Sequence, residues 1–181
     1  MSKHVFLSVL ATVIFTTPVV SAPLSVGQPV SPIRLDGDLG GKVSGEAWNS
    51  NDIAKSGKII SLFYVDPEEK KLNEPVELAY ENAKFPPDKH ASIAVINMAA
   101  AWYPNSMINS QLKKKQEQFP RTTYVKDIKK TLVKEWDLKD DSVNVVIFGR
   151  DGKPLFVKRG PMSAGEINEL MTLIRANLEP K

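Results

Sequence analysis

The sequence contains no cysteine, and this absence excludes more chemistry than any other feature of its composition. Catalytic thiols, disulfide bonds and lipid attachment through an N-terminal cysteine all need that residue. Histidine is nearly as scarce, with only His4 and His90. Because His90 has no second histidine or cysteine at ligand spacing, we predict no metal site and no bound cofactor.

The apolar run near the N-terminus is short. Lys3 and His4 precede an apolar stretch at 5–15, which is followed by Pro18 and the small residues "VVSA" ending at Ala22. This layout is typical of a secretory signal peptide, and the run is shorter than the roughly 20 residues of a spanning helix. We therefore predict cleavage after Ser21 or Ala22, a periplasmic location and no stable membrane insertion of the mature chain.

The sequence also lacks a large excess of charge of either sign. It has 24 basic and 21 acidic residues, which give a net charge of +3. Lysines at 113–115, 126, 129, 130 and 134 are interleaved with acidic residues, which is typical of a solvated helix face. We predict no nucleic-acid partner. With residues 1–22 removed as signal peptide, residues 23–181 are long enough for one domain.

The mature sequence alternates between strand-like and helix-like patterns. After an extended lead at 27–41, in which "DGDLGG" at 36–41 favours a turn over a calcium loop, a short turn ends at Gly57. Apolar runs predict strands at 58–65, 91–98 and 122–127. Helical spacing predicts helices at 69–83, with a possible start at Pro75, and at 105–119 and 128–138.

The C-terminal third predicts a hairpin and a final helix. Two apolar runs are joined through Asp151-Gly152, a pair that favours a tight turn. Ser163 and Glu166 fit a capping box before an amphipathic helix. The whole order predicts an α/β fold with a mixed central sheet, helices on both faces, and a C-terminal β-hairpin plus helix.

This order resembles the thioredoxin-like fold, and a closer resemblance is to the YtfJ family. That family comprises exported bacterial proteins of thioredoxin-like fold whose biochemical function is not established. The similarity covers the mature chain and is carried by "GQPV" at 27–30, "WNS" at 48–50, Gly57-Lys58, "VIN" at 95–97, Asp127, Trp136, Leu138, Ser142, Asp151-Gly152, Gly160, Ser163 and Glu166. The family pattern has acidic residues after the second strand, where this chain has alanines at 99–101.

The resemblance places the stretch "SLFYVDPEEKKLNEP" where thioredoxins carry their cysteines. Val143 falls near the position of their cis-proline, so both parts of the redox site are missing. In parallel sheets, ligands bind beyond the carboxyl ends of the strands, where the loops after the first two strands emerge. We predict a ligand or partner surface formed by Asp66, Glu68, Glu69, Trp102, Tyr103 and Val143.

These observations favour a non-catalytic binding or scaffold protein, with an unknown protein or small ligand of the cell envelope as its partner. It is not a thiol-disulfide oxidoreductase. One alternative is a carboxylate- or metal-dependent hydrolase that uses the loop at 66–69, with His90 as a possible further member. Another is an oligomeric structural subunit. We predict that His90 itself is a solvated loop residue ahead of a strand.

Overall fold

The computed structural model describes residues 23–102 and 104–179. The predicted signal peptide and Tyr103 lie outside them. The strands are β1 (Arg34–Leu35), β2 (Gly40–Lys42), β3 (Trp48–Asn49), β4 (Ile59–Val65), β5 (His90–Asn97), β6 (Thr122–Asp127), β7 (Val143–Phe148) and β8 (Pro154–Arg159). The helices are α1 (Asp52–Lys55), α2 (Glu74–Ala83), α3 (Asn105–Gln118), α4 (Thr131–Trp136) and α5 (Ala164–Leu178), with 3₁₀ turns at Gly37–Leu39 and Lys70–Asn73.

Six strands form one mixed sheet in the order β2-β6-β5-β4-β7-β8. The strands β4, β5 and β6 are parallel neighbours, because α2 and α3 carry the chain back between them. β7 pairs antiparallel with both β4 and β8, and β2 pairs antiparallel with β6. The predicted mixed sheet with a C-terminal hairpin and helix is confirmed.

Helices cover both faces of this sheet. Along β4, Leu62 and Tyr64 point to the face packed by α1 and α4, which contribute Ile53 and Trp136. The alternate side chains of β4 point to the other face, where α2 and α5 pack. α3 lies on that second face over β5 and β6. Because both faces are buried, β4 is the continuous apolar run that the sequence displays.

The C-terminal elements agree closely with the sequence pattern. Gly152 has a φ of +78°, the left-handed conformation that the turn between β7 and β8 requires. At the start of α5, the Ser163 hydroxyl accepts from the Glu166 N–H, and the Glu166 carboxylate accepts from the Ser163 N–H. A hydrogen bond from Lys158 and those from Ser163 hold the pKa of Glu166 at about 2.

The lead at 27–41 is more structured than predicted. β1 pairs with β3, and β2 forms the edge of the main sheet beside β6. A Cβ at Gly40 would lie 1.9 Å from the backbone oxygen of Lys126, so only glycine permits this approach. The segment "DGDLGG" therefore supplies a 3₁₀ turn and an edge strand. Among residues 23–102 and 104–179, no helix combines the length and apolar character needed to cross a membrane.

Candidate functional site

The carboxyl ends of β4 and β5 bring two of the predicted loops together. The backbone N–H of Trp102 donates to Glu68 Oε1 at 2.8 Å, which joins the loop after β4 to the loop after β5. The Trp102 residue remains 85 % exposed. We call the two loops at 66–69 and 98–102 the strand-end surface. It lies where the sequence analysis placed a ligand or partner surface.

Asp66 lies at the base of the strand-end surface and is buried. Its carboxylate accepts from the Glu68 N–H at 2.9 Å, and its own N–H donates to the Ser142 carbonyl. Burial raises the pKa of Asp66, and the nearby charges of Asp141, Glu68 and Glu69 raise it further, against the opposing hydrogen bond from Glu68. Asp66 therefore shapes the turn and is a carboxyl group that protonates more readily than a solvated one.

Val143 and Glu69 differ in what they can present to a ligand. Val143 begins β7 opposite Val65, its carbonyl accepts from the Gly160 N–H, and its side chain is buried. Glu69 is half-exposed, and its N–H donates to the Asp66 carbonyl. Of the predicted residues that the structure describes, Glu68, Glu69 and Trp102 thus reach solvent.

A polar network beside the strand-end surface was missed by the sequence analysis. At the end of β5, Asn97 Nδ2 donates to Asp140 Oδ1 at 3.0 Å, and Lys130 Nζ donates to Asp140 Oδ2 at 2.6 Å. Lys130 Nζ also lies 3.8 Å from Asp141. The hydrogen bond with Asp140 raises the pKa of Lys130, and the same bond lowers the pKa of Asp140 despite partial burial. The network neutralises much of its own charge.

Asp127, the last residue of β6, is fully buried and holds α4 in place. Its Oδ1 accepts from the Thr131 N–H at 2.8 Å, and its Oδ2 accepts from the Leu132 N–H at 2.9 Å. The Tyr64 hydroxyl donates to Oδ2 at 3.3 Å. Burial and the Asp127 charge raise the pKa of Tyr64. The carboxylate fixes the start of α4 at Thr131, later than the predicted start at 128.

The prediction that His90 is a solvated loop residue is wrong. His90 is the first residue of β5 and only 8 % exposed, and its Nε2 lies 2.8 Å from the hydroxyl of the fully buried Ser61. The Tyr80 hydroxyl donates to the same Ser61 oxygen at 2.8 Å. Burial lowers the pKa of His90 to about 4. The imidazole of His90 and the hydroxyls of Ser61 and Tyr80 therefore satisfy one another's hydrogen bonding inside the core.

His90 also lies far from the acidic loop. It pairs with Ile59 at the start of β4, whereas Asp66 follows the end of that strand. At about 3.3 Å per residue, the two positions are roughly 20 Å apart. A hydrolase that combines His90 with Asp66 and Glu68 is therefore excluded by geometry. Within the described ranges, no group of three or more histidine, aspartate and glutamate side chains is arranged to hold a metal ion.

Residues 27–177 match the family described as "Bacterial protein of unknown function (YtfJ_HI0045)". The chain belongs to this family. The uncharacterized protein YtfJ of Escherichia coli (strain K12) is 24% identical over 160 residues, which cover 84% of this chain and 86% of that protein. An uncharacterized protein of Haemophilus influenzae is 21% identical over 178 residues, 95% of this chain and 97% of that protein.

Solved structures confirm the thioredoxin-like fold of this YtfJ family protein. The exposed lipoprotein thioredoxin Etrx1 of Streptococcus pneumoniae superposes with a TM-score of 0.54 at 14% identity, covering 79% of this chain and 99% of that chain. A thiol-disulfide isomerase of Corynebacterium glutamicum gives 0.56 at 16% identity, covering 81% and 96%. Such low identity shows the fold alone. This chain contains no cysteine.

Proposed function

We propose that this YtfJ family protein is an exported, non-catalytic binding protein that recognises a partner protein of the cell envelope through its strand-end surface. The observation that carries the proposal is the hydrogen bond from the backbone N–H of Trp102 to the Glu68 carboxylate, which places the highly exposed Trp102 beside that carboxylate. Large aromatic side chains are the commonest anchors of protein interfaces. Export rests on the pattern of the N-terminal residues.

The position of this surface in the fold supports binding over catalysis. Thioredoxin-like folds carry out thiol chemistry beyond the ends of these strands, and this chain has no thiol to use there. The neighbouring charges of Lys130 and Asp140 are paired with each other. What remains accessible is an aromatic group with acidic neighbours, which suits recognition of a partner with apolar and basic side chains.

Capture from solubilised envelopes tests the proposal. Immobilised wild-type protein is expected to retain a defined partner, and Trp102→Ala is expected to retain at least about tenfold less, since truncating an aromatic anchor costs about 2 kcal/mol or more. Val26→Ala is the matched control. Val26 is 58 % exposed, and its neighbour Gly27 bonds to Pro154, at the other end of the sheet.

Three results would contradict the proposal. Equal loss of capture in Trp102→Ala and Val26→Ala would show that the strand-end surface is not the binding interface. A melting temperature raised by a divalent cation, with the rise abolished in Glu68→Gln, would favour the hydrolase alternative. A defined homo-oligomer in light scattering, with nothing captured, would favour the structural-subunit alternative.

A further inference from the structure

A cavity lies over the second face of the sheet between α2 and α3, and it reaches Pro67 at the edge of the strand-end surface. Its volume is about 210 Å³. A dry apolar cavity of about 150 Å³ is enough to bind benzene. We infer that this pocket binds a small, uncharged, single-ring or indole-sized aromatic molecule that carries an N–H or O–H donor. The inference is independent of the proposed partner interface.

The sequence of β5 explains why the pocket is open. Ala94 lies in register between Phe63 of β4 and Tyr124 of β6, so a small side chain stands between two rings. Ser92, two residues earlier on the same face, is also small and lines the pocket. Although β5 is an inner strand, both residues are only half-buried. α2 packs against α5 and α3 packs against β6, so a slot remains above Ala94.

The pocket lining favours an aromatic occupant. Four rings line it: Phe63, Tyr80, Phe119 and Tyr124. Aromatic pairs gain about 0.5–1.5 kcal/mol beyond the burial of their area, so an aromatic molecule is preferred to an aliphatic one of equal size. Ile108 and Leu112 of α3 complete an apolar wall. A flat ring in the pocket can therefore pack its faces and edges against aromatic and aliphatic side chains.

The polar groups of the pocket favour a ligand with a hydrogen-bond donor. Asn73 lines the pocket and is buried, and its Nδ2 donates to Glu77 Oε1 at 3.1 Å. Its Oδ1 has no hydrogen-bond partner within residues 23–102 and 104–179. A buried oxygen without a donor costs about 1–3 kcal/mol, so a ligand whose donor reaches Asn73 Oδ1 would be favoured by a similar amount. The positive charges of Lys70 and Lys115 balance the negative charges of Glu77 and Glu81 in the lining. The pocket therefore favours an uncharged ligand.

Titration calorimetry with four probes tests the inference. Wild-type protein is expected to bind phenol and indole. Toluene lacks the donor and cyclohexanol lacks the aromatic ring, so each should bind about fivefold or more weakly than phenol. Ala94→Leu fills the slot and is expected to weaken phenol and indole at least about tenfold. Ala91→Leu makes the same change on the opposite face of β5, and binding should stay unchanged.

A second variant keeps the test valid if Ala94→Leu does not fold. Gln111 is exposed on α3 and lines the mouth of the pocket, so Gln111→Trp narrows the entrance without altering the core. It is expected to weaken phenol and indole while keeping the wild-type melting temperature. No binding of either probe to wild-type protein at about 5 mM would overturn the inference. Equal weakening by Ala91→Leu, or equal affinity for cyclohexanol and phenol, would also overturn it.

Discussion

Asp127→Ala is expected to lower the free energy of unfolding by about 4 kcal/mol, which is near the upper end for a single substitution. The change removes one carboxylate that serves the N–H groups of Thr131 and Leu132 and the hydroxyl of Tyr64. The Leu132 N–H and the Tyr64 hydroxyl are then left without an acceptor in the interior, and the half-buried Thr131 N–H loses its partner. Urea denaturation followed by tryptophan fluorescence measures the loss, because Trp136 of α4 is fully buried.

Two milder variants separate the contributions of Asp127. Tyr64→Phe removes only the hydroxyl and is expected to cost about 1 kcal/mol. Asp127→Asn keeps the volume and one acceptor oxygen, so its loss should lie between those of Tyr64→Phe and Asp127→Ala. If Asp127→Ala cost no more than Tyr64→Phe, Asp127 would not be the group that fixes α4 to the sheet.

Acidification from pH 6.5 to about 4 is expected to destabilise the protein through His90. Burial lowers the pKa of His90 from 6.5 to about 4, so the unfolded chain takes up the proton at a higher pH than the folded chain. The stability contributed by neutral His90 is therefore complete above pH 6.5, falls between pH 6.5 and 4, and falls no further below that. Its full loss is about 3 kcal/mol.

His90→Gln isolates this contribution, since glutamine does not titrate and offers Ser61 an acceptor. Unfolding free energies are measured by urea denaturation at pH 7.5 and pH 4.5 for both proteins. Carboxylates such as Asp66 and Glu166 titrate in both, so their effects cancel in the comparison. The drop between the two pH values should be smaller in His90→Gln by about 2–3 kcal/mol. Equal drops would mean that His90 does not titrate as a buried group.

Much of the fold was predictable because several signals were local. The strand β6 coincides with the predicted 122–127, and the hairpin follows from a turn whose glycine adopts a positive φ. The Ser163–Glu166 capping box needs only residues three apart. By contrast, β2 was missed, because its pairing with β6 depends on contacts across more than 80 residues that short apolar patterns do not reveal.

The loops of the candidate surface could be placed from the sequence, but their side-chain contacts could not. Fold topology placed the loops at 66–69 and after β5 at one end of the sheet, and the contact between Glu68 and Trp102 agrees with that placement. The pairing of Lys130 with Asp140 joins a residue of the predicted helix at 128–138 to the loop that follows that helix, and the spacing of charges in the sequence does not reveal this contact. His90 was misjudged because its partners, Ser61 and Tyr80, come from a strand and a helix whose register was unknown.

Site-specific photo-cross-linking in intact cells tests the binding proposal most directly. A photoreactive phenylalanine analogue replaces Trp102 in one strain and Val26 in another, and the adducts are identified by mass spectrometry. The proposal predicts a reproducible envelope protein joined to position 102 and absent at position 26. Equal labelling at both positions, or no adduct at position 102 in folded and exported protein, would contradict it.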